Sequence, residues 1–348
     1  MDERDYWLGF STISGIGPAK FRKLLEEFKT AKIAWENLKP NFSIENYLKK
    51  LKEKDVWFMT LLDEDYPQIL KEIRNPPFVL YGRGNPSTLY ARSGPPIAVV
   101  GARRTTQYGR EVTKLLVAEL VLNGLTIVSG LALGVDAVSH VTCLENNGKT
   151  IAVLGCGVDC CNPRENQSIY DKILESGNCI ISEFPLGMRP TQWTFPARNR
   201  IIAGLSQAVL VTEGAEDSGS LITAGFALKF GRKVFAVPGP ITSQMSKGPY
   251  VLIQKGAKLV TCSKDIISEL GISNSQFPIS NKSKITNKKG DTEEENTILK
   301  LLNQEPMHFD EIVKKTKFKS SKLSSILSLM ELKGLIKSLN NGFFSITS

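Results

Sequence analysis

Residues 97–111, IAVVGARRTTQYGRE, show the pattern that decides the fold. A short apolar run at 97–100 ends at Gly101, two arginines and two threonines come next, and a segment of helical periodicity follows. Runs rich in Val and Ile without polar alternation are typical of parallel strands that are covered on both faces. The stretch therefore predicts a strand, a glycine-containing loop and a helix, which is the repeating unit of α/β proteins.

The same unit recurs over the following 160 or so residues. Apolar runs separated by helical segments predict six further strands, at 126–129, 151–154, 179–182, 208–212, 233–237 and 258–260. Alternating strands and helices favour a Rossmann-like, doubly wound, mostly parallel sheet. We expect this α/β domain to span residues 57–272.

The regions on either side of this domain have a different character. Residues 1–56 have helical periodicity and contain Gly15-Ile16-Gly17, a helix-hairpin-helix pattern. Residues 273–292 are polar and rich in lysine, which predicts a linker. Residues 293–348 predict three helices and a terminal hairpin, the outline of a winged helix.

Five lysines precede the predicted recognition helix of this C-terminal domain: Lys314, Lys315, Lys317, Lys319 and Lys322. Lysines at this place would suit DNA phosphates. An ordinary solvated lysine face explains the same pattern equally well, and both interpretations stay open.

Composition and charge narrow the class of protein. The 348 residues include 44 Lys and Arg against 35 Asp and Glu, a formal charge of +9, which favours a polyanionic partner. No apolar run approaches the roughly 18 residues of a membrane helix, and the N-terminal MDERDYW is too acidic for a signal peptide. We expect a cytoplasmic protein without membrane contact. Six Cys, four of them in or beside apolar runs, and only two His predict structural thiols and no metal site.

In a doubly wound sheet, ligands bind at the carboxyl ends of the strands. Five predicted strands end in glycine-containing loops, which start at Gly101, Gly130, Gly155, Glu213 and Pro238. Glycine lets backbone N–H groups approach an anion, and arginines add charged donors. A single such loop could serve only a tight turn, but five loops together with Arg103 and Arg104 predict a phosphate-binding rim.

Two further basic clusters extend this predicted rim. Arg198, Asn199 and Arg200 lie in FPARNR just before a helical run, and Arg164 and Asn166 lie in NPREN. The aromatic residues Trp193 and Phe195 stand beside the first cluster, a combination that suits single-stranded nucleic acid. The alternative is that the rings cap the core and the arginines form internal ion pairs.

The sequence gives little support for an enzyme. The loop GARRTTQYG lacks the glycine spacing of a dinucleotide fingerprint, so we expect no nucleotide cofactor. Asp136 and His140 lie four apart on one helix face, where a hydrogen-bonded structural pair is the simpler interpretation. A hydrolase would need an acid or base, for which Glu213, Glu183 and Asp136 are the candidates.

Taken together, the loops resemble one family, the DNA-processing protein A (DprA/Smf) family of bacteria. The matching segments follow the family order and include VVGARRTTQYGRE, IVSGLALGVDAVSH, ISEFP, FPARNRIIAGLS, EDSGSLITAGFAL and GRKVFAVPGP. The resemblance implies a Rossmann-like domain between an N-terminal SAM-like helical domain and a C-terminal winged helix. It further implies a non-enzymatic homodimer that binds single-stranded DNA without sequence preference and delivers it to the RecA recombinase during natural transformation.

The resemblance also implies roles for individual residues. It predicts a DNA pocket formed by Gly101, Arg103, Arg104, Ser129, Gly130, Arg164, Asn166, Arg198, Asn199, Arg200, Ser218, Gly219, Ser220 and Thr223. It places Leu228, Tyr250 and Leu259 toward the dimer and RecA faces. Cys161-Asn162 departs from the family pattern, in which an aromatic residue usually precedes the proline.

Two alternatives from other classes remain. The first is a Rossmann-like hydrolase that processes nucleotide phosphates at the same rim. The second is a transcription factor that acts through the winged helix.

Overall fold

A nine-stranded sheet organises the larger of two structural units. The computed structural model describes residues 1–90, 94–272, 290–302, 307–338 and 342–346, which divide into a unit within 1–279 and a unit within 280–348. The strands of the large sheet are β1 (Trp57–Thr60), β2 (Val79–Gly84), β3 (Pro96–Val100), β4 (Thr126–Ser129), β5 (Thr150–Val153), β6 (Cys179–Ser182), β7 (Ala208–Val211), β8 (Lys233–Ala236) and β9 (Lys258–Leu259).

Helices pack against both faces of this sheet. They are α1 (Glu3–Ser11), α2 (Pro18–Phe28), α3 (Ala31–Leu38), α4 (Ile44–Glu53), α5 (Gln68–Lys71), α6 (Gln107–Leu122), α7 (Val135–Glu145), α8 (Gln167–Glu175), α9 (Thr194–Gly204), α10 (Gly219–Lys229), α11 (Lys247–Gln254) and α12 (Ser263–Glu269).

The strand order is β1-β2-β6-β5-β4-β3-β7-β8-β9, and β3 to β9 are parallel. The chain builds outward from β3 to β6, then returns to place β7 on the other side of β3. This reversal creates a topological switch point between β3 and β7, where the loops after the two strands diverge.

The predicted Rossmann-like sheet is confirmed, and each of its seven strands lies within one residue of the predicted range at either end. The sequence did not predict β1 and β2, which pair with each other and extend the β6 edge in antiparallel fashion. The strand VLYGRG carries two glycines, which weaken a strand pattern. Gly82 is required there because a Cβ would lie 2.0 Å from the Trp57 ring.

Alternation along each central strand explains the continuous apolar runs. Ala98 and Val100 of β3 belong to the hydrophobic cluster on one face, and Ile97 and Val99 to the cluster on the other. Successive side chains point to opposite faces of a sheet, so a strand covered on both sides shows no alternation of apolar and solvent-exposed polar positions.

The N-terminal helices pack against the antiparallel edge of the sheet. Phe21 of α2 stacks on Phe78 with ring centroids 4.2 Å apart, and Trp7 meets Phe21 edge-on at 4.8 Å. Helices α1 to α4 share a single hydrophobic cluster with residues of β2 such as Tyr81. The domain boundary at 56/57 stays a prediction, and this cluster spans it.

The second unit contains α13 (Glu293–Leu302), α14 (Phe309–Thr316) and α15 (Ser320–Leu332) together with the strands β10 (Met307–His308), β11 (Ile336–Ser338) and β12 (Phe343–Ile346). The strands form an antiparallel sheet in the order β10-β12-β11. Three helices on a small sheet confirm the predicted winged helix. Most of the predicted linker, residues 273–289, lies outside the described residues.

A search of the helices in the described ranges finds none that combines the length and apolar character needed to cross a membrane.

Replacing Phe21 by alanine tests whether the N-terminal helices fold together with the sheet. The variant should lose about 3–5 kcal/mol of unfolding free energy in urea denaturation, because the ring fills a closed space between Trp7 and Phe78. Phe21→Leu should lose less than about 1.5 kcal/mol. A Phe21→Ala midpoint equal to that of the parent chain would show that this contact adds nothing to the stability of the unit.

Candidate nucleic-acid interface

Glu213, directly after β7, fixes the loop that follows β3. Its carboxylate is 3% exposed and accepts hydrogen bonds from Thr105 Oγ1 (2.9 Å), the Thr106 amide (2.9 Å) and Thr106 Oγ1 (2.5 Å). The Glu213 carbonyl also accepts the Ala102 amide at 2.8 Å. Gly109 makes room for this arrangement, since a Cβ there would lie 2.0 Å from Glu213 Oε2. These hydrogen bonds, which we call the Glu213 clamp, hold the two loops at the switch point together.

This role of Glu213, and the part of Thr105 and Thr106 in it, was not predicted from the sequence. The available signal was an acidic residue at the end of a buried strand. Because the two segments are more than 100 residues apart in the chain, only the strand order brings them together.

A cavity of about 690 Å³ opens at the switch point beside this clamp. Nine of the predicted DNA-binding residues line it: Gly101, Arg103, Arg104, Arg198, Asn199, Ser218, Gly219, Ser220 and Thr223. They come from the loops after β3 and β7 and from the helices α9 and α10. The fold thus assembles in one place residues that the sequence spreads over more than 120 positions.

Arg103 and Arg104 provide the accessible positive charge of this cavity. Both side chains are exposed, and neither forms an ion pair with any residue that the structure describes. The guanidinium carbon of Arg103 lies 5.1 Å from the centroid of the Phe195 ring, a cation–π contact. The cavity therefore presents charged donors next to an aromatic ring.

Backbone groups add to the positive character of the cavity. Helix α10 begins at Gly219, and Ser218 at its N-cap accepts the Ser220 amide at 3.3 Å. Its first turn lines the cavity. The start of an 11-residue helix carries a partial positive charge, which favours an anionic ligand when arginines stand beside it.

Arg198 lies at the floor of the cavity and is bonded internally. The side chain is 4% exposed, and Nη1 donates to the carbonyls of Gly130 and Val153 at 2.5 Å each. Asp136 lies nearby and accepts the amides of Gly130 (3.1 Å) and Ala132 (3.4 Å). Burial raises the pKa of the Asp136 carboxyl, and the charge of Arg198 opposes that shift. Arg198 thus ties together the loops after β4 and β5, which differs from the expected exposed contact.

Arg200 does not line the cavity. Its guanidinium forms an ion pair with Glu183, and both side chains are largely buried. This matches the alternative interpretation of an internal ion pair. Arg200 therefore links α9 to Glu183, just after β6, and is not part of the rim.

The remaining predicted pocket residues have mixed positions. Ser129 is fully buried and donates to the Val99 carbonyl at 2.7 Å. Asn166 is also buried, and Nδ2 donates to the carbonyls of Leu131 and Ala132. Gly130 lines a smaller cavity of about 80 Å³ that also contacts Arg103 and Phe195, while Arg164 is exposed.

The residues predicted for the dimer and RecA faces lie outside the cavity. Leu228 and Leu259 are 52% and 44% exposed. Tyr250 is half-buried, and its hydroxyl donates to the Gly239 carbonyl.

The expected Asp136–His140 pair is not formed, because the two residues bond to different partners. His140 is fully buried with Nδ1 2.8 Å from Thr150 Oγ1, and that hydroxyl itself donates to the Ile127 carbonyl. The Thr150 hydroxyl hydrogen is thus engaged, so His140 Nδ1 carries a hydrogen and donates a hydrogen bond to Thr150 Oγ1. Burial lowers the pKa of His140 to about 3.

The fold and site define an α/β protein with an arginine-lined cavity at the switch point of a Rossmann-like sheet, and with a winged-helix unit in the same chain. Residues 57–271 match the family model of DNA recombination-mediator protein A, and residues 284–342 match that of the DprA winged helix domain. The chain belongs to the DNA recombination-mediator protein A family, which confirms the resemblance predicted from its loops.

Individual relatives agree with this assignment. Protein Smf of Synechocystis is 38% identical over 291 residues, covering 77% of this chain and 73% of the relative. DNA processing protein DprA of Bacillus subtilis is 42% identical over 226 residues, covering 65% of this chain and 75% of the relative.

Two solved structures are similar as well. The X-ray structure of DNA processing protein A from Streptococcus pneumoniae has a TM-score of 0.68 and 36% identity, and covers 77% of this chain and 99% of that one. The protein from Helicobacter pylori, described for its single-stranded DNA binding mode, has a TM-score of 0.55 and 31% identity over 61% of this chain and 95% of that one.

Changing Glu213 to glutamine tests the clamp. The carboxamide can turn only one acceptor toward the three donors, so we expect a loss of about 1–3 kcal/mol in urea unfolding. Glu216→Gln, at an exposed position of the same loop, is the matched control and should change stability by less than about 0.5 kcal/mol. Equal stability of the two variants would contradict the clamp.

Replacing His140 by glutamine tests the burial of a neutral imidazole. The pKa of His140 in the folded chain, about 3, lies below the ordinary value of 6.5. Between pH 3 and pH 6.5, therefore, the imidazole is protonated in the unfolded chain but not in the folded one. Stability should therefore be complete above pH 6.5 and fall as the pH decreases toward 3. From pH 7 to pH 5 this residue should account for about 2 kcal/mol of the loss, and His140→Gln should lack that share. Urea unfolding at both pH values measures it, and identical losses in both chains would contradict the assignment.

Proposed function

We propose that this protein binds single-stranded DNA without sequence preference at the switch-point cavity and acts as a recombination mediator. The observation that carries the proposal is the pair of exposed arginines, Arg103 and Arg104, beside Phe195 and the start of α10. Guanidinium groups and backbone amides match a sugar-phosphate chain, and an aromatic face accepts any base. The relative from H. pylori with a single-stranded DNA binding mode supports the same ligand.

The arrangement favours a single strand over a duplex. Unpaired bases can turn toward Phe195, or toward Trp193, which is 75% exposed just before α9. Bases inside a duplex are stacked and paired, so they cannot reach rings beside a concave site. Contacts to phosphate and ring faces carry no sequence information, which accounts for the proposed lack of preference.

Hydrolysis at the same site is less well supported. Each of the three candidate carboxylates is engaged by internal donors: Asp136 by backbone amides, Glu183 by Arg200, and Glu213 by Thr105 and Thr106. A general base needs access to a substrate proton. The transcription-factor alternative leaves the central cavity without a role.

The proposed function also includes a cellular location, an oligomeric state and a protein partner. We infer that the protein acts in the cytoplasm as a homodimer and loads RecA onto the bound strand, as the family resemblance implies for natural transformation. Leu228 on α10 and Leu259 on the edge strand β9 are exposed apolar side chains that such contacts could use.

Replacing Arg103 by alanine tests the proposed site. Binding of the full chain to fluorescent oligo-dT should weaken roughly tenfold at low salt, and the slope of log K against log salt should shrink by about 0.7, the value for one lost phosphate contact on a single strand. The loss should be the same for oligonucleotides of mixed sequence.

The control is Lys264→Ala, which removes one exposed positive charge from α12. Lys264 does not line the cavity. The affinity of this variant for oligo-dT should stay within twofold of the parent chain. Unchanged binding by Arg103→Ala, or equal losses in both variants, would contradict the proposed site.

A further inference from the structure

The winged-helix unit contains a strongly basic stretch that the proposed function does not use. Residues 312–330 include five lysines and no acidic residue. Helix α14 ends within this stretch at Thr316, and α15 begins at Ser320. The charge is therefore concentrated around the turn between two helices.

The structure separates these lysines into two kinds. Lys322 is neutralised, with Nζ 2.5 Å from Glu294 and 5.4 Å from the centroid of the Phe318 ring. The other four are exposed and have no ion-pair partner within the described ranges: Lys314, Lys315, Lys317 and Lys319. Lys333, at the far end of α15, is also neutralised, by Asp291 and Glu295. Among the described lysines of this unit, the unpaired ones therefore cluster at the end of α14 and the start of α15, and Lys300 and Lys337 are the two that lie elsewhere.

Helix α15 itself presents a narrow polar face beside these lysines. Leu323, Leu327 and Met330 are buried, whereas its exposed positions include the short side chains of Ser321, Ser324, Ser325 and Ser328. Short side chains leave the helix slim, and a helix about 10–12 Å across fits a duplex major groove about 12 Å wide. The exposed leucines of α15, Leu329 and Leu332, lie toward its other end.

We propose that this face is a second DNA site, which takes duplex DNA with α15 in the major groove and the four free lysines on the flanking phosphates. Charge complementarity selects a polyanion, and a duplex fits better than a single strand because the basic stretch 312–330 has no exposed ring on which a base could stack. Phe318, the nearest ring, is half-buried beneath Lys322. The winged-helix face and the cavity belong to different structural units and consist of different residues.

The test uses the full chain, a fluorescent 20-bp hairpin duplex and oligo-dT. Lys315→Ala/Lys319→Ala should weaken duplex binding roughly tenfold at low salt and reduce the salt slope by about 2, while oligo-dT affinity changes by less than twofold. The charge-matched control, Lys264→Ala/Lys300→Ala, removes two exposed lysines elsewhere and should leave both affinities within twofold. Thermal unfolding of each variant verifies that the winged unit is folded.

Arg103→Ala makes the outcomes distinguishable, because it should weaken oligo-dT binding and leave the duplex unaffected. The second site is overturned if the parent chain does not bind the duplex, or if the lysine variant binds it like the control. In that case the lysines are a solvated face or contact an acidic protein. A failure of Arg103→Ala to weaken oligo-dT would instead count against the cavity and leave the second site standing.

Discussion

The hydrogen bonds to Glu213 are the interaction on which the proposed site depends. The reversal of strand order between β3 and β7 separates two loops, and such a gap binds a ligand only if its walls keep their positions. A buried carboxylate with donors from Thr105 and Thr106 joins the walls. Because the acceptor belongs to one loop and the donors to the other, the arginines that follow β3 are carried on a fixed support.

The arginines of the site have two different roles: two stabilise the fold and two are free to contact a ligand. Arg198 and Arg200 are buried against carbonyls or a carboxylate, where their donors replace bonds to water that burial removes. Arg103 and Arg104 have no such internal partners among the described residues and remain exposed. A buried guanidinium cannot also serve a mobile strand, so binding falls to the exposed pair. The lysines of the winged unit differ in the same way, because Lys322 forms an ion pair with Glu294 whereas the four lysines before it have no such partner among the described residues.

The sequence was sufficient for the central sheet and for the region of the site, but not for the role of each residue. Apolar runs mark β3 to β9 because those strands are covered on both faces, whereas β2 escapes notice because Gly82 accommodates the Trp57 ring. Arg103 and Arg198 are the same residue type, and each lies in a short basic segment, GARR or FPARNR. Their different roles follow from partners such as the Gly130 carbonyl, 68 positions from Arg198, which no local pattern reveals.

Photo-crosslinking tests the central claim most directly. An oligonucleotide that carries 5-iodo-deoxyuridine would be irradiated with the full chain, and the modified residues mapped by mass spectrometry. We predict crosslinks to Phe195, which lines the switch-point cavity, or to the exposed Trp193 two residues before it. Crosslinks confined to residues outside the loops after β3 and β7 and the start of α9 would contradict this prediction.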